Sequence, residues 1–258
     1  MSEHHEVASK EKYGMVIDLD KCTGCGTCTV ACLSENNHYV REDESDKLHS
    51  VTWMKVYKVT NGEPFPNTKV AFIPRPCMHC DHHTPCVSVC PVMATDYNPL
   101  TGIVSQIYTR CIGCRYCVGA CPYHARYFNW WDPVWPEGMH KLLNPDMSPR
   151  MRGVVEKCSF CNHRQQKAKD KAYVEGRKEL KDGEYVTACA EACPTGAITF
   201  GNMKDPESAV AKLIKSPGAF RLLEKLGTEP KVYYLSSESW IRELADNALG
   251  RKRTGGLA

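Results

Sequence analysis

At 258 residues, with 42% hydrophobic and 24% charged residues, the chain has the length of one large or two small globular domains. Its 33 Lys and Arg stand against 30 Asp and Glu, and a formal net charge of +3 excludes the basic footprint of a nucleic-acid binder. No stretch approaches the roughly 18 apolar residues that a spanning helix requires, and residues 1–12 hold neither an apolar core nor twin arginines, so neither a direct membrane span nor an export signal is expected.

The first predicted element is a strand at Val16-Ile-Asp-Leu19, which leads into Cys22, Cys25, Cys28 and Cys32, with Leu33 after the last. The acidic run Glu42-Asp-Glu-Ser-Asp46 reads as a solvated loop. The second group, Cys77, Cys80, Cys86 and Cys90, widens the middle gap to five residues and closes on Pro91. An alternating run from Ile103 to Tyr108 predicts a strand before Cys111, Cys114, Cys117 and Cys121-Pro122. Val154-Val155 then precedes Cys158 and Cys161, which an insertion of 27 residues separates from Cys189 and Cys193-Pro194. Such an insertion costs little, because loop-closure entropy grows with the logarithm of length. Ser239 to Gly250 reads as a short amphipathic helix with Gly250 as its stop.

All sixteen cysteines thus fall into four groups of four. The third group fits the ferredoxin run C-x2-C-x2-C-x3-C-P, in which three close thiolates hold one iron-sulfur cube and the fourth reaches to its neighbour. Cys90, Cys121 and Cys193 each begin a C-P-x2-A repeat with an aromatic residue shortly after it, so each unit reads as strand, cysteine loop, short helix and turn. Gly24, Gly26 and Gly113 sit inside the loops, where backbone must approach a cube closely. Disulfide frameworks belong to short secreted chains. Zinc sites want two separated pairs and give no reason for the prolines; only the fourth group, taken alone, fits one.

If fourth ligands cross over within pairs, two arrangements are open. In the nested one, groups two and three form an inner ferredoxin and groups one and four close around it. It assigns Cys22, Cys25, Cys28 and Cys193 to a first cluster and Cys158, Cys161, Cys189 and Cys32 to a second. Cys77, Cys80, Cys86 and Cys121 hold the third, and Cys111, Cys114, Cys117 and Cys90 the fourth. The other arrangement pairs group one with two and three with four. The expected fold class is α+β. Two nested bacterial-ferredoxin-like domains, each with two [4Fe-4S] clusters, comprise an outer one at 12–75 plus 150–205 and an inner one at 76–130. A C-terminal extension, 206–258, is expected to dock on a partner subunit.

The phrases Gly14-Met-Val-Ile-Asp-Leu-Asp-Lys-Cys22, Cys111-Ile-Gly-Cys-Arg-Tyr-Cys117 and Lys157-Cys-Ser-Phe-Cys-Asn-His163 resemble the four-cluster electron-transfer subunit of complex iron-sulfur molybdoenzymes and their relatives. The likeness covers roughly residues 12–235. The run Cys121-Pro-Tyr-His-Ala-Arg-Tyr-Phe-Asn-Trp-Trp131 is most similar to subunits of alternative complex III and of menaquinone reductase (Qrc-type) complexes, the latter favoured. The resemblance implies the nested ligand pairing and a large molybdopterin-enzyme-like partner. It also implies a polytopic quinone-binding membrane partner, with a multihaem cytochrome c as a further candidate. It implies a peripheral place on the cytoplasmic membrane, on the periplasmic face by co-export with a partner; the cytoplasmic face is the alternative. Other readings are the iron-sulfur subunit of a polysulfide, tetrathionate or DMSO-type reductase, or of a soluble hydrogenase or formate dehydrogenase. Several relatives replace the second cysteine of group three and hold a [3Fe-4S] cluster there. Cys114 permits a fourth iron without guaranteeing it.

Fully cysteine-ligated clusters leave no open iron for substrate. The chain also has no dinucleotide fingerprint, no P-loop and no C-x3-C-x2-C radical motif, so a one-electron wire without its own catalytic site is expected. Arg110, Arg115 and His124 are candidates for tuning cluster potentials. His79, His82 and His83 read as loop histidines, and Trp130, Trp131 and Trp135 as body packing or a subunit contact. The basic stretch 150–181 reads as solvated surface, the alternative being cluster compensation or docking.

Overall fold

Tyr13, Met15, Val16 and Ile17 supply the apolar side chains of β1 (Tyr13–Asp18), and the strand is buried along almost its whole length. The computed structural model describes residues 10–39 and 51–247, with side chains through 245. After β1 the chain turns through Gly26, whose φ of 77° suits a residue without a Cβ, into α1 (Thr27–Glu35). Cys28 and Cys32 lie one turn apart on the buried face of α1. The first insertion forms an antiparallel hairpin, β2 (Lys55–Thr60) with β3 (Val70–Arg75). Group two carries α2 (Pro85–Ser88), which places proline at the first position, where a backbone N–H has no helical acceptor.

The hairpin β4 (Thr95–Tyr97) and β5 (Val104–Gln106) joins the turn after Cys90 to the approach to Cys111. Group three carries α3 (Tyr116–Ala120). The strand after it, β6 (Tyr127–Phe128), pairs with β7 (Val155–Glu156) at the approach to Cys158. The second insertion holds α4 (Asn162–Val174), followed by α5 (Ala188–Glu191) and β8 (Ile198–Asn202). Beyond it come α6 (Ala209–Ile214), capped by the Ser208 hydroxyl accepting from Ala211 N–H at 3.1 Å, then β9 (Ala219–Phe220), β10 (Val232–Leu235) and α7 (Ser239–Asn247).

One sheet has the order β8-β1-β10-β9. In it β1, which heads group one, pairs antiparallel with β8, which follows group four; Met15 stands opposite Phe200. On its other edge β1 runs parallel to β10, so residues beyond 205 complete this sheet. The fold is α+β, with short helices and strands interleaved along the chain.

Beside the sheet lies an aromatic cluster. Tyr13 meets Tyr185 edge-on at 4.9 Å, Phe200 meets Phe160 at 5.2 Å, and the His79 ring stacks on Phe160 at 3.7 Å. His79 is fully buried, and its Nδ1 accepts the Val104 N–H at 3.1 Å. It is therefore a core residue, whereas His82 and His83 are exposed. The basic stretch 150–181 also divides. Lys167 and Arg177 form exposed ion pairs, but Arg150 and Lys157 are 3% and 1% exposed, which corrects the reading of the whole stretch as solvated surface. Arg150 pairs with Glu156 at 2.7 Å, and the Lys157 ammonium donates to the carbonyls of Val104 and Cys158. The helix expected from Ser239 to Gly250 is α7; Ile241 and Ala245 enter the core, while Gly250 and the acidic run 42–46 lie outside the described residues.

Candidate functional site

Short helices and positive-φ turns bring thiols from distant segments together, and all sixteen cysteines are free. Cys32 on α1, Cys158 and Cys161 at the head of α4, and Cys189 on α5 line one enclosed cavity walled by Trp53 and Phe160. Burial pushes the Cys32 thiol well above its ordinary value, and the sulfurs of Cys158, Cys161 and Cys189 push it further. Elsewhere, burial pushes Cys28 up to about 11, with Cys22 and Cys193 adding to it. Burial likewise pushes Cys80 up to about 12, with Cys77, Cys86 and Cys121 beside it. Cys117 is raised by burial and faces Cys86 and Cys111. Thiols grouped this way resist ionisation on their own, and cationic metal is what makes thiolates stable there.

The donor set fits iron-sulfur cubes. It is made of soft thiols alone, and among the described residues no three His, Cys, Asp or Glu side chains converge so as to hold one ion. Four donors ranged around a cavity suit a polynuclear cluster held at its corners better than tetrahedral zinc. The fourth cysteines show why their turns repeat. Ala94 N–H donates to Cys90 Sγ at 3.2 Å, and the N–H groups of Ala125 and Ala197 do the same for Cys121 and Cys193. At Cys90 and Cys193 burial raises the thiol, but the donors of the turn together, including Val92 and Thr95 at Cys90 and Thr195 and Ile198 at Cys193, lower it below its ordinary value. Each C-P-x2-A turn is thus a small anion cradle around its own sulfur.

Gly113 sets the loop of group three. Its φ is +71°, and an added Cβ would stand 2.3 Å from the Gly153 carbonyl oxygen. Gly113→Ala is expected to destabilise the protein by about 3 kcal/mol, from backbone strain and overpacking together. The melting temperature and iron content per chain report it, and unchanged values on both would contradict this account.

The expected tuning residues are placed differently from one another. Arg115 stacks over Phe128 and Trp130 at 5.3 and 4.9 Å, while Arg110 and His124 are exposed. Four buried cations escaped the sequence reading, Arg126, Arg150, Lys157 and Lys231. The signal for Arg126 was its register: it occupies the slot taken by Thr95 and Ile198 in the other two C-P-x2-A repeats, both of them buried.

The family described as 4Fe-4S dicluster domain matches residues 21–94 and 110–197, and a second model of the same description matches 68–136. The chain belongs to the 4Fe-4S dicluster family. This iron-sulfur subunit is 62% identical over 249 residues to the menaquinone reductase iron-sulfur cluster-binding subunit of Nitratidesulfovibrio vulgaris, covering 96% of this chain and 97% of that one. It is 40% identical to the Hdr-like menaquinol oxidoreductase iron-sulfur subunit 1 of Archaeoglobus fulgidus, over 89% and 85% of the two chains. The arsenate respiratory reductase iron-sulfur subunit of a Shewanella strain is 35% identical, over 88% and 97%. Two dicluster units and sixteen cysteines give the subunit four [4Fe-4S] clusters, and its role is electron transfer. Among the described residues no helix is long and apolar enough to cross a membrane.

Proposed function

We propose that the subunit relays single electrons between a redox partner subunit and a quinone-linked membrane subunit of a menaquinone reductase type complex. The observation that carries this is the order of the thiols. Under the nested pairing, the first cluster is held by Cys22, Cys25, Cys28 and Cys193, and the second by Cys158, Cys161, Cys189 and Cys32. The third is held by Cys77, Cys80, Cys86 and Cys121, and the fourth by Cys111, Cys114, Cys117 and Cys90. Neighbouring sets then meet through Cys28 and Cys189, Cys158 and Cys77, and Cys86 and Cys117. The two exposed cysteines, Cys25 and Cys114, belong to the first and last sets. A row whose interior links are buried or half-buried and whose two ends are open is what a relay between two partners needs. The division into an outer unit (12–75 with 150–205) around an inner one (76–130), with the extension 206–258 as docking face, follows the same pairing. The β1–β8 and β4–β5 pairs support it.

Beside Cys114, Ile112 and Tyr116 are 65% and 68% exposed, and the Arg115 guanidinium between them lies over the exposed Trp130 ring. Aromatic residues of this kind anchor interfaces, and this end suits the polytopic membrane subunit. The Cys25 end suits the redox partner, a large molybdopterin-enzyme-like subunit or a multihaem cytochrome c. The assembly would sit peripherally on the membrane, on the periplasmic face by co-export with a partner. Detergent extraction followed by affinity purification tests the reading. Co-purification of a polytopic membrane protein in stoichiometric amount is expected; isolation as a soluble holo monomer would overturn it.

A further inference from the structure

Arg126 is 4% exposed and lies directly after the C-P-x2-A turn of group three. Its Nη1 donates to Gln106 Oε1 at 2.8 Å, and the same oxygen accepts from the Thr95 hydroxyl at 2.9 Å, so β4 and β5 together hold the guanidinium in place. Its other two nitrogens, Nε and Nη2, are buried without a hydrogen-bond partner. The sulfurs of Cys86, Cys117 and Cys77 lie close to this guanidinium.

The buried cations of this protein are not alike. Arg150 has Glu156 at 2.7 Å and Lys231 has Asp81 at 3.0 Å. The Lys157 ammonium is occupied by two carbonyls. Arg126 forms no ion pair among the described residues, although a guanidinium keeps its charge in any protein environment. A buried charge of this kind persists only opposite an anion, and two orphan N–H donors on a guanidinium beside thiols of two different ligand sets point to where that anion lies.

We infer that Arg126 sets potential: it is a fixed positive charge between the third and fourth cluster sites, with Nε–H and Nη2–H directed at their sulfur, and it makes that inner pair easier to reduce. Reduction brings one electron and no proton into the site, so one negative charge is added beside the guanidinium. A fixed cation in a low-dielectric site stabilises the more negative state. The inference rests on the ligand pairing proposed above, which places Cys86 and Cys77 in one set and Cys117 in the next.

Redox-titrated EPR of the intact complex tests it, using three variants. Arg126→Gln removes the charge. Gln106→Glu leaves Arg126 in place but sets a carboxylate of the same size against Nη1, keeping both hydrogen bonds. Arg126→Lys keeps the charge and changes its shape. In the first two, at least one cluster signal is expected to become about tenfold harder to reduce, which is about 59 mV for a one-electron couple; Arg126→Lys should restore most of the shift. Midpoints equal to wild type in Arg126→Gln or in Gln106→Glu, with four clusters loaded, would overturn the inference. If Arg126→Gln loses an inner cluster, Gln106→Glu decides alone. Cys90→Ser and Cys111→Ser test the ligand pairing separately, since under it both perturb the same EPR signal, so failure of that reading and failure of this one are told apart.

Discussion

Removal of iron and sulfide is expected to abolish the cooperative unfolding transition of this protein. The helices that carry the thiols are too short to stand alone: α2 and α5 have four residues each and α3 has five, far below the roughly 12 residues at which an isolated helix becomes even marginal in water. The strands β6 and β7 have two residues each. Buried cysteines occupy positions that apolar side chains would otherwise fill, among them Cys28, Cys32, Cys77 and Cys189 in the main core. Without metal, the cavity lined by Cys32, Cys158, Cys161 and Cys189 holds only thiols that do not bond to one another, and α1, α4 and α5 stay joined mainly by the part-exposed pairs of Arg164 with Glu35 and Glu191.

Metal binding of this kind supplies folding free energy on the order of 10 kcal/mol per site in small metal-folded domains. The whole stability of a typical domain is about 5–15 kcal/mol, so losing one site is severe and losing four leaves no folded reference. Circular dichroism and calorimetry of the holo protein, recorded on either side of anaerobic chelation with an oxidant, measure this. Retention of a sharp transition at a similar temperature in metal-free material would show that the protein core suffices by itself.

The site was legible in the sequence to a greater degree than the fold around it, for a physical reason. A cluster ligand has to be cysteine at a fixed spacing, so the sixteen positions announce themselves without any knowledge of packing. The strand before three of the four loops was legible as well, because β1, β5 and β7 carry β-branched or alternating residues. Their ends were not. The run expected to reach Tyr108 stops at Gln106, since Tyr108–Arg110 coils into a tight 3-10 turn that delivers Cys111.

The hairpin β2–β3 went unread because its strands are half exposed and the segment carries no cysteine, so neither periodicity nor ligand spacing singled it out. The pairing of β10 with β1 is a parallel contact across more than 200 residues, and no local pattern encodes such a partner. Buried charge was the least legible feature. Arg150, Lys157 and Arg126 look like surface residues by type, and only the three-dimensional neighbours show otherwise.

Glu156→Ala is expected to destabilise the holo protein by about 3–5 kcal/mol, because it leaves the Arg150 guanidinium buried without its counter-charge. Arg150 Nε donates to Glu156 Oε2 at 2.7 Å, and both side chains are 2% exposed or less. Its Nη1 reaches the Asn36 carbonyl just beyond α1, and the guanidinium lies over the Trp53 ring at 5.1 Å. One cation therefore fastens three segments: the end of α1, the stretch leading into β2, and β7. Two of these flank thiols of a single cavity, Cys32 and Cys158.

At this chain length a loss of that size lowers the melting temperature by about 10 °C. Calorimetry of holo protein under anaerobic conditions reads it, and a change below about 1 kcal/mol would show that Arg150 finds another partner or water. Glu156→Gln keeps an acceptor and should cost less. Arg150→Met with Glu156→Leu should recover most of the loss, since replacing both members of a buried pair by apolar groups of similar volume is often neutral. If the double variant keeps its stability yet loads the cavity of Cys32 and Cys158 with less iron, the pair acts by fixing the segments for metal binding rather than by its own interaction energy.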